Sequence, residues 1–138
     1  DDLSTMDLAE NLRKRATHVI KEQERVTSFC QGIKNDSDLS DLGQLLTQSH
    51  DSSSQNFENS CEELDFLVEK LNKHPSVLGA RLTGGGFGGA VMAWVKKNFT
   101  HLDAEVIQGA YQDHFKQKIE SFHFRASDGA RKESLLSK

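Results

Sequence analysis

The chain has 138 residues, 36% hydrophobic and 28% charged, with a formal net charge of −4. That length suits one domain able to bury a core of its own, and the acidic balance without a basic stripe argues against a nucleic-acid partner. No apolar run approaches the ~20 residues that span a bilayer, and two isolated cysteines, Cys30 and Cys61, supply neither a disulfide framework nor a zinc ligand set and read as core thiols of a reducing cytosol.

Residues 6–34 read as one long helix. Leu12, Ala16, Val19, Val26, Cys30 and Ile33 recur at steps of three, four and seven and predict its inward stripe. Ser4 and Thr5 are its candidate N-caps, and Arg13, Lys14, Lys21 and Glu24 its solvated face. Asn35, Asp36 and Ser37 break the pattern, and residues 38–50 resume it with Leu39, Leu42, Leu45 and Leu46 inward. Residues 51–56 are polar and predict a turn. Ser60 and Glu63 then form a capping-box pair for a helix carrying Leu64, Leu67, Val68 and Leu71, which His74-Pro75 ends.

The period changes beyond Pro75. Residues 77–82 and 90–95 are short and apolar and predict two antiparallel strands around a glycine loop. Residues 103–119 return to helical spacing. Phe122 and Phe124 alternate with polar residues and predict a third strand; Ser127-Asp128-Gly129 predicts a closing turn, and the tail from Arg131 is expected to fray. The expected fold is α+β, an antiparallel sheet of three to four strands with helices packed on one face.

Five of the chain's ten glycines lie between Gly84 and Gly89. A plain hairpin needs one or two. Glycine reaches positive φ without a Cβ clash and lets a ligand approach the backbone, and successive N–H groups can then converge on an anion. Thr83, Gly84, Gly85, Gly86, Phe87, Gly88 and Gly89 are therefore the candidate contacts for a substrate or its phosphates, with Arg81 as either a phosphate contact or a structural ion pair. Gly84, Gly86 and Gly89 also satisfy the dinucleotide fingerprint, but that motif requires a helix where a strand is predicted here. The protein-kinase glycine loop fits locally, yet none of its companion motifs follows, and no Gly-Lys-Ser/Thr completes a Walker A loop. His18 and His50 read first as packing or hydrogen-bonding residues, Cys61 as core, Asp65 as a surface or capping residue, and Asp128 as a turn.

The segment Leu78-Gly79-Ala80-Arg81-Leu82-Thr83-Gly84-Gly85-Gly86-Phe87-Gly88-Gly89 resembles the third motif of GHMP kinases in its galactokinase form, with Ala90 in place of a usual Cys. Four further segments match in order. Residues 15–26 resemble the family's Arg-Ala-x-His-Val helix, and 48–53 its Glu-Ser-His-x-Ser segment. Asn59-Ser60-Cys61-Glu62-Glu63-Leu64-Asp65 resembles its Val-Ser-Cys-Pro-Glu-Leu-Asp, and 127–130 its C-terminal Ser-Asp-Gly-Ala. The resemblance covers about residues 13–130.

It implies a ferredoxin-like GHMP kinase C-terminal domain over residues 1–138. Such a domain supplies the glycine loop to a cytoplasmic enzyme that phosphorylates galactose at its anomeric hydroxyl from ATP. The sugar-recognition motif, the Ser-rich phosphate loop and the catalytic Asp and Arg of that family lie in an N-terminal domain, and none is in this sequence. An opening on Asp1 rather than Met fits a piece of a longer polypeptide. The resemblance also implies that ATP and Mg2+ are held mainly by the N-terminal domain and that this segment is inactive alone, with no catalytic or metal-ligating residue of its own. Its partners would be the sugar, ATP and that domain, with no nucleic acid and no membrane. The alternatives are a kinase for N-acetylgalactosamine or arabinose, or a non-catalytic sugar and ATP sensor.

Overall fold

The computed structural model describes residues 7–129. Ser4, Thr5 and the tail from Arg131 lie outside them. Its elements are α1 (Glu10–Lys34), α2 (Leu39–Ser52) running on into a π-helical turn (Ser53–Phe57), α3 (Glu62–Asn72), β1 (Val77–Thr83), β2 (Ala90–Val95) and α4 (His101–Phe115). The strands pair antiparallel, Thr83 opposite Ala90 and Gly79 opposite Trp94. Leu42, Leu64, Val68, Ala80, Leu82, Ala104, Ile107 and Tyr111 form the core, contributed by α2, α3, β1 and α4.

The α+β class holds, but the sheet has two strands among the described residues. The segment 116–129 carries no strand, and Phe122 and Phe124 are exposed. A period of two becomes a strand only beside an edge that supplies ladder hydrogen bonds, and no such edge meets this segment. Arg81, Met92 and Trp94 share a face, as directly opposed residues do. That face meets α1, with Phe29 against the Trp94 ring at 5.6 Å and Glu22 beside Arg81. Ala80 and Leu82 point to the other face and are buried there as well.

Helix α1 turns a different stripe inward than its apolar pattern predicts. Leu12, Val19, Val26 and Ile33 are exposed, and so is Cys30, while Cys61 is only half-buried. The covered side is His18, Glu22, Arg25, Phe29 and Gly32, also at steps of three and four. It is chosen by hydrogen bonds to α2 and the π-helical turn. Such bonds add a directional preference to burial.

Several ends also differ in detail. Asp38 caps α2 by accepting from the Ser40 N–H at 2.6 Å. Residues 51–56, read as a turn from their polarity, are helical instead: 51–52 close α2 and 53–56 lie in the π-helical turn, with Ser52 and Ser53 buried. The Ser60 hydroxyl donates to Asp65 at 2.5 Å instead of capping α3, whose N-cap is Cys61. Thr100 and Asp103 form a capping box at the start of α4, and Lys116, left-handed at φ 60°, ends it.

Candidate functional site

Residues 84–89 connect β1 to β2. Gly84, Gly86, Gly88 and Gly89 all have positive φ (79°, 82°, 105° and 94°), and so does Phe87 at 56°. A bulky side chain in the left-handed region is an outlier whose strain the surroundings must hold in place. The Phe87 ring is 79% exposed, so core packing does not hold it there. A Cβ at Gly84, Gly85, Gly88 or Gly89 would meet nothing within 4 Å. The loop therefore presents bare backbone to open space at four of its six positions.

The remaining side of the loop is tied down by Asn59. The π-helical turn ends at Glu58, left-handed at φ 57°, which swings the chain beneath the loop. The Asn59 N–H donates to Ser53 O at 3.2 Å, and Asn59 O accepts from Phe87 N–H at 2.7 Å. The Asn59 side chain donates from Nδ2 to Gly85 O at 3.1 Å. Gly86 lies so close that a Cβ there would sit 2.9 Å from both the Asn59 carbonyl carbon and Nδ2.

Arg81 is engaged within the fold. Its Nε donates to Leu82 O at 3.0 Å and its Nη1 lies 3.4 Å from Glu22. Glu22 also accepts from the Ser49 hydroxyl at 2.7 Å and from Arg25 Nε at 2.5 Å. Burial alone would raise the Glu22 carboxyl; the Ser49 hydroxyl and the Arg25 and Arg81 guanidinium groups outweigh it and hold the group below the ordinary carboxylate range.

A second polar cluster flanks β1. His50 Nδ1 accepts from the Leu82 N–H at 3.3 Å, which leaves the ring proton on Nε2, 3.1 Å from Asp65. Asp65 accepts from Ser60 and, at 3.2 Å, from the Ser54 hydroxyl. It thus ties α2 and the π-helical turn to α3 while its side chain stays about half exposed at the surface. His18 Nδ1 lies 3.0 Å from the Ser52 hydroxyl and its ring 4.7 Å from that of Phe57. Both histidines are packed and hydrogen-bonded within the fold. Asp128 lies exposed in irregular chain. Of the candidate residues, the structure brings together Thr83, the glycines and Phe87; Arg81 turns to α1.

Among the described residues no group of three or more His, Cys, Asp or Glu side chains could hold a metal ion. Backbone left bare in this way offers N–H groups, which can suit phosphate oxygens.

Residues 27–117 match the model of the family described as GHMP kinases C terminal. This chain belongs to the GHMP kinases. It is 42% identical over 125 residues to a galactokinase of Thermotoga neapolitana, covering 91% of this chain and 35% of that protein. It is 39% identical over 121 residues to a galactokinase of Enterococcus faecalis, covering 88% and 31%. Its structure matches that of Lactococcus lactis galactokinase complexed with galactose at a TM-score of 0.77 and 32% identity, covering 83% of this chain and 30% of that one. The chain thus spans about a third of the length of the curated relatives it matches. No helix among its described residues is long and apolar enough to cross a membrane.

Two residues of this GHMP kinase chain escaped the sequence reading. Asn59 stands in a motif read for its Ser60, Cys61 and Asp65 neighbours. Gly43 sits inside α2, where glycine is about 1 kcal/mol less favourable than alanine. That cost is itself the signal of a close approach, here to β1.

The histidines make the stability of this GHMP kinase chain pH-dependent. Burial holds the His50 imidazole below its ordinary value of 6.5 despite the nearby Asp65 carboxylate, and burial lowers His18 likewise. The unfolded chain then binds these protons more tightly than the folded one. Their contribution is complete above about pH 6.5 and is lost as pH falls through that value toward the folded-state pKa. Glu22, lowered from 4.5, adds a further loss below about pH 4.5. The urea midpoint is expected to be lower at pH 5.5 than at pH 8, with the difference reduced in His50→Gln. Equal midpoints at the two pH values would contradict this reading.

Proposed function

We propose that this chain is the C-terminal part of a galactokinase and contributes its glycine loop to the ATP-dependent phosphorylation of galactose at the anomeric hydroxyl. The observation that carries the reading is the bare-backbone loop at the β1–β2 junction, in a chain about 40% identical to galactokinases. Phosphoryl transfer is mostly positioning and stabilisation of charge on the transferred group. Backbone N–H groups aimed at the phosphates would supply both without chemistry of their own. Thr83, Gly84, Gly85, Gly86, Phe87, Gly88 and Gly89 are the contacts we assign to sugar and phosphates. Arg81, with Nε and Nη1 engaged, anchors β1 to α1. The catalytic base and the Mg2+ ligands belong to the remaining part of the protein, an N-terminal catalytic domain that would pair with residues 1–138. ATP as phosphoryl donor fits a cytoplasmic location.

The test is ATP-dependent phosphorylation of galactose, N-acetylgalactosamine and arabinose by the complete protein and by this segment alone. Turnover in the complete protein only, fastest with galactose, is expected. A faster rate with another sugar would rename the substrate. Sugar binding without turnover would make the protein a sensor.

A further inference from the structure

We infer that Asn59 is a positioning residue for phosphoryl transfer, a side-chain latch that holds the glycine loop in its open-faced conformation. The inference rests on the reading that the loop contacts the substrate. The geometry has three parts. Gly85 O can only accept, so the amide of Asn59 must present Nδ2 to it, at 3.1 Å. Two residues on, Phe87 N–H is bound to the Asn59 main chain at 2.7 Å, with Gly86 pressed against the same residue. The latch therefore grips three consecutive loop residues and leaves Gly84, Gly88 and Gly89 facing open space.

The third part is an anomaly. With Nδ2 committed to Gly85, Oδ1 points the other way, buried and with no hydrogen-bond partner among the described residues, in a residue only 7% exposed. Buried acceptors without donors are rare and call for a reason. The same residue binds the left-handed Phe87 through its main chain, so two unfavourable features meet at Asn59 and its partner. Strain of this kind persists where the surrounding structure fixes a functional conformation. The matching segment of the galactokinase pattern has Val here, which would remove the orphaned oxygen and keep the main-chain grip. Asn59 adds what Val cannot, a donor to Gly85 O.

Two variants of the complete protein separate a latch from a packing residue. Asn59→Val removes donor and orphan together, so its thermal midpoint is expected to equal or exceed that of the parent. Its kcat for galactose is expected to fall about three- to tenfold, because the loop that positions the reacting groups loses one of the hydrogen bonds holding it, with KM for ATP changed by less than about twofold. Asn59→Asp is nearly isosteric but faces Gly85 O with a second acceptor, and its kcat is expected to fall further. Amide hydrogen exchange at residues 84–89 is expected to quicken in both. A parent-like kcat and parent-like exchange in both folded variants would overturn the latch. If the parent itself phosphorylates none of the sugars, the functional reading fails, and exchange at the loop alone decides on the latch.

Discussion

Gly79→Ala is expected to lower the thermal midpoint by roughly 10 °C. Helix α2 and strand β1 touch backbone to backbone. A Cβ at Gly79 would overlap the Gly43 carbonyl oxygen and lie 2.6 Å from its carbon and 3.0 Å from its Cα. In return, a Cβ at Gly43 would overlap the Leu78 carbonyl and lie 2.9 Å from the Leu78 Cβ. No flexible side-chain end is available to swing aside, so helix and strand must separate. Overpacking of this kind costs about 1–3 kcal/mol and sometimes more. For a chain of this size each kcal/mol is worth about 3–5 °C. The separation also strains the His50–Leu82 hydrogen bond farther along the same pair. Gly109→Ala is the control: it lies in α4 with open space around it and is expected to stabilise by about 0.5–1 kcal/mol through helix propensity. Thermal unfolding followed by circular dichroism measures both. An unchanged midpoint in Gly79→Ala would mean that α2 and β1 are less tightly seated.

The close glycine pair marks the limit of what a linear pattern reveals. Strand β2 lies where the reading put it, and β1 and α3 nearly so, because Val, Leu and Ala recur there at one clean period and turn residues bound them. Helix α1 was legible as a helix but not in its orientation. Its apolar stripe at Leu12, Val19, Val26 and Ile33 is exposed, and its packed stripe is polar. Periodicity ranks faces by transfer free energy. It does not count the hydrogen bonds that Glu22 makes to Ser49, Arg25 and Arg81, partners 3 to 59 residues away. The same blindness turned Ser52 and Ser53 into a loop, since a buried hydroxyl with a partner looks in sequence like a solvated one.

At the candidate site the loop was legible and its support was not. Glycine announces unusual backbone directly, because few other residues tolerate positive φ; the strand that follows rejected the dinucleotide motif, and missing companion residues rejected the other two. Asn59 announces nothing. It becomes a loop contact only because the π-helical turn and the left-handed Glu58 carry it beneath Gly85. A single sequence holds no record of such a three-dimensional detour. The failed third strand has the same origin: the alternation of Phe122 and Phe124 is local, while pairing needs a distant edge.

The largest kinetic effect is expected at Gly86. In the complete protein, Gly86→Ala is expected to lower kcat/KM for galactose phosphorylation by about 100-fold or more while leaving the helical circular dichroism signal intact. Two independent penalties fall on this position. At φ 82° a Cβ costs roughly 1–2 kcal/mol in backbone conformation. The same Cβ would overlap Asn59 O and stand 2.9 Å from the Asn59 carbonyl carbon, which is backbone and cannot rotate away. The loop must lift, and lifting breaks both the Phe87 N–H to Asn59 O bond and the Asn59 side-chain bond to Gly85 O. A displacement of about 1 Å at groups that position a reacting substrate can cost 100-fold. Because the loop is exposed and outside the core, the fold is not expected to follow it. Gly85→Ala gives the contrast: its φ is not positive and nothing lies within 4 Å, so the loop can keep its shape and the added methyl projects outward. If that open space is where substrate docks, Gly85→Ala raises KM and leaves the thermal midpoint unchanged, whereas Gly86→Ala lowers kcat. Full turnover in Gly86→Ala would show that catalysis does not depend on the loop's register against Asn59, and the loop would then be a connection between two strands and nothing more.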